Sequence, residues 1–215
     1  RDLGLIPKFL TLREQESFFQ RHLYGKPLKY LLVVSTIEPR KNHIRLLAGW
    51  EVIKAEIDPS IKLVVVGTLG WDNHQVVNRM KTWIDRGELF MLNAVPAPEL
   101  RVLYRHAAAT VCPSLGEGFD FSGVEAMACG GITVASDIPV HREIYEDAAE
   151  YFNPYSTMSL VNALKKVLYD TDAHVLRTMM RERGKAIAAR YQPDEILPKW
   201  KAFLEGLMAS EEKKK

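Results

Sequence analysis

Short runs of aliphatic residues recur along the chain, and each is followed by a longer segment in which the apolar residues have helical spacing. Runs without alternating polar residues are typical of strands that are covered on both faces. The predicted strands are 30–35, 61–67, 89–92, 109–112, 132–136 and 149–152. This alternation of strands and helices predicts an α/β protein with a doubly wound, parallel, Rossmann-like sheet.

The pattern changes after Phe152, where only helical spacing remains. The predicted C-terminal helices are 157–170, 172–190 and 194–209. We therefore predict one domain over 29–209, preceded by a weakly patterned linker segment over 1–28. The charged residues 210–215 are predicted to form a disordered tail.

Composition narrows the class of protein. A chain of 215 residues can bury ~70% of its unfolded surface, which suffices for a large core. The 29 basic and 27 acidic side chains give a net charge of +2, which argues against nucleic acid as a partner. Cys112 and Cys129 lie in apolar segments without a disulfide or zinc-ligand pattern, which favours a reducing compartment. No apolar run approaches the ~20 residues that a membrane-spanning helix needs.

The loop after the strand 109–112 has the sequence "PSLGEGFDFSGVE" and carries two glutamates, Glu117 and Glu125. In open parallel sheets, ligands bind at the carboxyl ends of the strands, where this loop lies. Ser122 and Glu125 have the spacing of a capping box at the start of the next helix. A helix start also presents free N–H groups that favour a phosphate. Capping accounts for Glu125 but not for Glu117, so the loop is also a candidate ligand site.

Two other uses of the glutamates remain open from the residues alone. A pair of carboxylates could catalyse glycoside hydrolysis, but a carboxylate beside a helix N-terminus stays ionised and is a poor proton donor. A metal site would need further ligands, and Asp120 is the nearest candidate. Ionised glutamates suit the hydroxyl groups of a ribose or a hexose better, because they accept hydrogen bonds.

A second loop, "STIEPRKNH", follows the first strand and carries Arg40 and Lys41. Pro39 stiffens its turn, and Asn42 is a residue type that caps helices. Taken alone, this segment is a solvated basic turn. Because loops at the carboxyl ends of parallel strands leave the same edge of the sheet, the two cations can face the glutamate loop. Together, the loops suit a diphosphate.

These segments resemble a known family. The stretches "TIEPRKNH", "LVVVGTLGW", "PELRVLYRHAAATVCPSLGEGF", "VEAMACGGITVASDIPVHREI" and "AAEYFNPYS" are similar to the C-terminal, donor-binding domain of retaining glycosyltransferases of family 4 (group 1), which have the GT-B fold. The resemblance covers residues 28–205, with the motifs in the family's order. The two glutamates match the family's E-x7-E motif, and the "PRKN" form looks most like mannosyltransferases of polysaccharide assembly.

The resemblance implies roles for individual residues. The implied catalytic residues are Arg40, Lys41 and Glu117, and the implied donor-binding residues are Val95, Gly118, Phe119, Phe121, Ser122 and Glu125. Glu117 would contact hydroxyls of the transferred sugar, and Glu125 would contact the ribose. Arg40 and Lys41 would neutralise the leaving diphosphate, which the backbone amides of the glutamate loop would also hold. The base would lie near Val95.

The chain departs from the family pattern at two places. Ser35 and Thr36 stand where many members carry a Gly-Arg pair, so Arg40 would take more of the phosphate role. Asp120 stands where the family usually has a small residue, and it adds a negative charge beside the implied phosphate site. The resemblance does not explain Asp120.

The activity that the resemblance implies is retaining transfer of a hexose, with mannose favoured, from a nucleotide sugar to a glycan or lipid-linked acceptor in polysaccharide biosynthesis. GDP-mannose is the favoured donor, and no metal or other cofactor is implied. An N-terminal Rossmann-like domain would supply the acceptor site, so we expect this chain to be inactive without one. The same resemblance implies a cytoplasmic protein and allows peripheral association with the inner face of the membrane.

Two functions from other classes stay open. The chain could be a non-catalytic module that binds a nucleotide sugar or docks a partner, or a GT-B-like sugar-nucleotide epimerase. His141 lies after the fifth predicted strand and is interpreted as structural. Trp50, Trp71 and Trp83 are predicted to be packing residues. For the last helix, the resemblance implies an exposed apolar face, because in GT-B proteins this helix often packs on the N-terminal domain.

Overall fold

The structure of the protein, a computed structural model, describes residues 9–22 and 28–212, and for 209–212 it describes only the backbone. The strands are β1 (Tyr30–Val34), β2 (Lys62–Val66), β3 (Leu89–Leu92), β4 (Ala109–Cys112), β5 (Thr133–Ser136) and β6 (Ala149–Phe152). The helices are α1 (Leu12–His22), α2 (His43–Glu56), α3 (His74–Asp85), α4 (Ala97–His106), α5 (Phe121–Ala128), α6 (Pro139–Tyr145), α7 (Thr157–Leu168), α8 (Ala173–Ala189) and α9 (Pro193–Glu212). The predicted strands agree with these to within one residue at each end.

The six strands of the described part of the chain form one parallel sheet in the order β3-β2-β1-β4-β5-β6. The chain moves outward from β1 to β3, returns to the middle at β4, and then moves outward in the other direction. β1 and β4 are neighbours, with Leu31 opposite Ala109 and Leu32 opposite Thr110. At such a reversal of strand order, the loops at the carboxyl ends leave a crevice that binds ligands. The predicted doubly wound, parallel α/β sheet is confirmed.

Successive residues of the central strands pack on opposite faces of the sheet. Leu31 and Val33 belong to the hydrophobic cluster that contains Trp50 of α2. Tyr30 and Leu32 belong to the cluster that contains Tyr104 of α4. Burial on both faces explains why these strands lack alternating polar residues.

The three tryptophans that were predicted to pack differ in their exposure. Trp50 is fully buried, and Trp83 contacts it edge to face with ring centroids 5.0 Å apart. Trp71 is 63% exposed, so the prediction is wrong for this residue. The reason is that β2 ends at Val66, and the loop carries Trp71 beyond the edge of the sheet.

Residues 12–22 form a helix that the weak apolar pattern of the first residues did not predict. Phe18 of this helix is buried, and its ring centroid lies 4.9 Å from that of Phe90 in β3. The predicted linker therefore contains a helix that packs against the outer strand of the sheet. Its residues 1–8 and 23–27 lie outside the described residues.

The last helix, α9, extends through Glu212, so the predicted disordered tail begins inside a helix, and its residues 213–215 lie outside the described residues. The large exposed apolar side chains of α9 are Leu197, Trp200, Phe203, Leu204, Leu207 and Met208. This is the exposed apolar face that the resemblance implies for a last helix. Within the described part of the chain, neither α9 nor another helix combines the length and apolarity needed to cross a bilayer.

Candidate functional site

Two loops meet where the strand order reverses between β1 and β4. The Lys41 ammonium lies 2.6 Å from Oε1 of Glu117, and the Arg40 guanidinium lies 2.6 Å from Oε2 of Glu117. The backbone amide of Leu115 donates to the Arg40 carbonyl at 2.8 Å. The Arg40 guanidinium also donates to the Gly116 carbonyl at 2.8 Å. The three predicted catalytic residues are therefore in direct contact.

The sequence of the first loop explains its shape. Pro39 begins a 3₁₀ turn over Pro39–Lys41, and Asn42 ends it in the left-handed conformation with a φ of 54°. Asparagine tolerates this conformation better than most residues. Its side chain donates to the carbonyls of Pro113 and Pro154, each at 3.0 Å, instead of capping α2 as its residue type predicted. Asn42 thus ties the basic loop to the glutamate loop.

The charges at this contact are unequally exposed. The Glu117 side chain is 5% exposed, that of Lys41 is 16% exposed and that of Arg40 is 44% exposed. Burial acts to raise the pKa of the Glu117 carboxyl, but hydrogen bonds from Lys41, Ser114 and Arg40 outweigh it and lower that pKa. Glu117 is therefore ionised at neutral pH and serves as a hydrogen-bond acceptor.

The start of α5 differs from the predicted capping box. The helix begins at Phe121, so Asp120 is its N-cap, and its Oδ1 accepts from the Ser122 amide at 3.1 Å and from the Ser122 hydroxyl at 2.5 Å. Ser122 lies inside the first turn, so the predicted pairing of Ser122 with Glu125 is wrong. An aspartate caps as well as a serine does, and its negative charge also interacts favourably with the helix dipole.

Asp120, which the resemblance left unexplained, is anchored from α6. It is buried, and its Oδ2 lies 3.1 Å from Nε2 of the fully buried His141. Burial acts to raise the pKa of the Asp120 carboxyl, but the hydrogen bonds from His141 and Ser122 bring it to about 2. The Tyr145 hydroxyl donates to the Asp120 carbonyl at 2.9 Å. The position of the loop before α5 thus depends on α6.

Glu125 faces a groove of about 500 Å³ between α4 and α5, which is also lined by Leu100, Arg101 and Gln192. The Tyr104 hydroxyl donates to Oε2 of Glu125 at 2.9 Å. Burial, and then the charge of Glu125, raise the pKa of Tyr104, so its hydroxyl remains a donor. This contact, rather than a cap, orients the second glutamate of the motif.

The remaining predicted donor-binding residues lie around the same loop. Gly118 is exposed and has open space where a Cβ would be. Phe121 is 67% exposed. The ring centroid of Phe119 lies 4.5 Å from that of Phe121 and 5.2 Å from that of Tyr191. Val95 is partly buried and lies two residues before the start of α4. Phe119 is thus a packing residue as well as a loop residue.

Residues 14–187 match the sequence family described as glycosyl transferases group 1. This match covers more than half of the chain. The chain belongs to the glycosyl transferases group 1. One relative, the O-antigen chain mannosyltransferase B of Escherichia coli, is 30% identical over 159 residues, which are 74% of this chain and 39% of the relative. The family resemblance is therefore confirmed.

Solved structures confirm the fold of this group 1 chain. The α,α-trehalose 6-phosphate synthase of Burkholderia multivorans superposes with a TM-score of 0.75 at 16% identity, covering 94% of this chain and 46% of that one. The C-terminal domain of a group 1 family protein (LpcC) from Francisella tularensis gives a TM-score of 0.63 at 20% identity, covering 77% and 87%. The chain thus spans less than half of the mannosyltransferase and of the synthase.

Sequence reasoning gave no site role to Tyr104, His141 or Tyr145, which contact residues of the candidate site. Tyr104 lies in the last turn of the amphipathic helix α4, where its type alone does not distinguish a core residue from a partner of Glu125. His141 and Tyr145 are 21 and 25 residues from Asp120 in sequence, and only the fold brings them to it. The one available signal was that His141 follows a strand at the carboxyl edge of the sheet.

A second buried histidine lies beside the basic loop. Nε2 of His43 is 3.3 Å from the hydroxyl of Ser35, one of the two residues that replace the family's Gly-Arg pair. Burial, and then the charge of Lys41, lower the pKa of His43 to about 4. His43 is therefore neutral at physiological pH and adds no charge to the cations of Arg40 and Lys41.

Proposed function

We propose that this chain is the donor-binding half of a retaining hexosyltransferase. It would bind a nucleotide sugar, with GDP-mannose favoured, for transfer of the hexose to a glycan or lipid-linked acceptor in polysaccharide biosynthesis. The observation that carries the proposal is the contact of Arg40 and Lys41 with Glu117 at the reversal of the strand order, beside the N-terminus of α5. The similarity to a mannosyltransferase supports mannose as the transferred sugar.

The diphosphate of the donor would bind Arg40 and Lys41. A diphosphate carries more negative charge than the single carboxylate of Glu117, so it would compete for both cations. Glu117, released from them, could then accept hydrogen bonds from hydroxyls of the hexose. Each charge-assisted hydrogen bond contributes about 1.5–3 kcal/mol.

Backbone amides would add to the diphosphate site. The Ser122 amide already donates to Asp120, so it is not one of the proposed donors, although the resemblance included it. The proposal uses the amides of Gly118, Phe119 and Phe121, which precede that bond in the loop and in the first turn of α5. The helix dipole favours an anion at this end.

The reaction would be a substitution on one face of the sugar. The acceptor oxygen would form its bond to the anomeric carbon as the bond to the diphosphate breaks, and a phosphate oxygen would take the proton of the acceptor hydroxyl. Arg40 and Lys41 would stabilise the charge that develops on the diphosphate. Because side chains supply this charge, we propose that transfer is metal-independent. Full activity in a chelating buffer would support this step, and loss restored by Mg²⁺ or Mn²⁺ would contradict it.

The nucleoside would lie toward the groove between α4 and α5. There, Glu125, oriented by Tyr104, would accept hydrogen bonds from the ribose hydroxyls. The base would lie near Val95, which precedes α4. The contact with the Tyr104 hydroxyl supports this assignment because it uses Oε2 of Glu125. The other oxygen, Oε1, could then accept a hydrogen bond from the ribose.

The acceptor site is proposed to lie on a separate N-terminal domain, because the chain spans 39% of the mannosyltransferase that it resembles. The exposed apolar face of α9 would be available to such a domain. We propose a cytoplasmic location with peripheral association at the membrane, where lipid-linked acceptors would be reached.

Isothermal titration of this chain with GDP, UDP, ADP and GDP-mannose tests the proposal. We expect binding of one nucleoside diphosphate, weakened in Lys41→Ala and unchanged in Lys165→Ala, an exposed lysine of α7. Binding by none of the ligands would overturn it. In a protein that joins this chain to an acceptor domain, binding without transfer or donor hydrolysis would indicate a non-catalytic module. Interconversion of the free sugar nucleotide would indicate an epimerase.

A further inference from the structure

The carboxylate of Asp120 lies at the N-terminus of α5, where the proposed function places a diphosphate. A negative charge at that point opposes the binding of an anion. The same carboxylate contacts His141, a residue without a place in the proposed reaction. The contacts of His141 show how the charge of Asp120 is compensated.

The partners of His141 require a proton on both ring nitrogens. Nδ1 lies 2.9 Å from the Ser136 carbonyl, which can only accept. It also lies 3.1 Å from the Ser136 hydroxyl, whose own proton goes to the Ser114 carbonyl at 2.5 Å. Nδ1 must therefore be a donor.

The other ring nitrogen faces an ionised carboxylate. Nε2 lies 3.1 Å from Oδ2 of Asp120, and Oδ1 of the same group accepts from the amide and the hydroxyl of Ser122. A carboxylate that accepts several hydrogen bonds is held in its ionised form. Nε2 must then donate as well, and a ring with two N–H donors is an imidazolium.

Other groups around the pair do not replace this cation. Tyr145 stacks on the His141 ring with centroids 5.2 Å apart, and Cys112 lies in the same cluster. Burial raises the pKa of both Tyr145 and Cys112, so both are neutral at physiological pH. The charged groups that act on Asp120 are therefore His141 and, from the basic loop, Lys41.

We propose that His141 is a positioning residue, held as a buried imidazolium, whose charge cancels that of Asp120 so that a diphosphate can bind beside α5. The imidazolium acts through Asp120, which fixes Ser122, and through Ser136, whose hydroxyl holds the Ser114 carbonyl. It therefore supports the glutamate loop near both ends. The ligand in this inference rests on the proposed function, but the protonation of the ring does not.

The first experiment needs no ligand. In long-range ¹H–¹⁵N correlation spectra of the wild-type chain at about pH 8, above the ordinary His pKa of ~6.5, we expect both ring nitrogens of His141 to have protonated shifts. In Asp120→Asn, the amide can donate to Nε2, so we expect the neutral ring with its proton on Nδ1. A neutral His141 in the wild-type chain would overturn the proposal, whether or not the protein binds nucleotides. Comparison with His141→Gln assigns the signals among the six histidines.

The second experiment measures nucleoside diphosphate binding by titration calorimetry in three variants. His141→Gln leaves Asp120 uncompensated, so we expect affinity to fall about tenfold or more, as one unpaired charge near a diphosphate predicts. Asp120→Asn removes the negative charge itself. We therefore expect a smaller loss of affinity than in His141→Gln, although both variants change the contact between residues 120 and 141. The double variant Asp120→Asn/His141→Gln should recover much of the affinity that His141→Gln alone loses.

The relative affinities of the three variants distinguish an electrostatic role of the Asp120–His141 pair from a structural one. If Asp120→Asn is as damaging as His141→Gln, or if the double variant recovers nothing, the pair has only a structural role and the proposal is wrong. If His141→Gln does not fold, the ring signals that change between the wild-type chain and Asp120→Asn identify His141, because this histidine contacts Asp120, and their shifts still decide the proposal. If the wild-type chain binds no nucleoside diphosphate, the proposed function fails. The ¹H–¹⁵N spectra still show independently whether both ring nitrogens of His141 are protonated.

Discussion

The Nζ atom of Lys41 lies 2.6 Å from Oε1 of Glu117, although 76 residues separate the two in sequence. The contact exists because β1 and β4 are neighbours in the sheet, and each residue lies in the loop that leaves the carboxyl end of its strand. The fold thus brings a cation and a carboxylate from distant segments to the point where doubly wound sheets bind ligands. The first two predictions follow from this pair.

Lys41→Ala is expected to lower the turnover of a transferase that contains this chain by about 10²-fold or more, as the loss of an oxyanion-stabilising donor does. Lys41 is the more buried of the two cations, so water screens its charge less than that of Arg40. Steady-state transfer from the nucleotide sugar measures the effect, with Lys165→Ala as the control for loss of a lysine. Near-normal turnover in Lys41→Ala would remove Lys41 from the mechanism.

Glu117→Gln is expected to destabilise the chain at neutral pH, and less so in acid. The contacts of Glu117 lower its folded pKa below the unfolded value of ~4.3, so its contribution is present above that value and is lost as the pH falls through the folded pKa. Urea unfolding at several pH values between about 7 and 3 should show the gap between wild type and Glu117→Gln closing as the pH falls. A gap that stays constant would contradict the lowered pKa.

The sequence was sufficient to predict the sheet and the meeting of the two loops, because both follow from continuous apolar runs and from the rule for parallel strands. It was not sufficient for the start of α5. Ser122 and Glu125 have the spacing of a capping box, but Asp120 is also a good cap and has a partner in His141. The choice between the two caps depends on a contact across 21 residues, which a local pattern does not contain.

Tyr104 and α1 were missed for a related reason. Tyr104 is buried with the core cluster on one face of the sheet, yet its hydroxyl reaches Glu125, so its packing role hides its polar one. The helix α1 is short and mostly polar, and its burial depends on Phe18 contacting Phe90 in the outer strand. In both cases, the tertiary partner decides the role of the residue.

Glu125→Ala is expected to weaken nucleoside diphosphate binding by about tenfold, as the loss of a hydrogen bond to a charged group does, without the loss of stability that removal of a helix cap would cause. The structure supports this because Glu125 contacts Tyr104 instead of the helix start. Titration calorimetry with the ordinary nucleotide and with its 2′,3′-dideoxy form measures the effect.

The dideoxy nucleotide provides the control for this assignment. If Glu125 binds the ribose hydroxyls, the wild-type chain should bind the dideoxy form more weakly, and Glu125→Ala should scarcely distinguish the two forms. An equal penalty for the missing hydroxyls in both proteins would show that other residues contact the ribose.

Gly123→Ala is expected to destabilise the chain by about 1–3 kcal/mol, the usual effect of overpacking a core. An added Cβ would lie 2.3 Å from Cζ and 2.4 Å from the hydroxyl oxygen of the fully buried Tyr145. The ring cannot retreat without giving up its hydrogen bond to the Asp120 carbonyl, so donor affinity should fall together with stability. Gly206→Ala is the matched control, because an added Cβ at this exposed glycine of α9 meets open space. Alanine stabilises a helix by about 1 kcal/mol relative to glycine, so this variant should not be destabilised. Urea unfolding of both variants measures the difference, and equal stability of Gly123→Ala and wild type would show that the contact of α5 with Tyr145 is not close enough to position the loop.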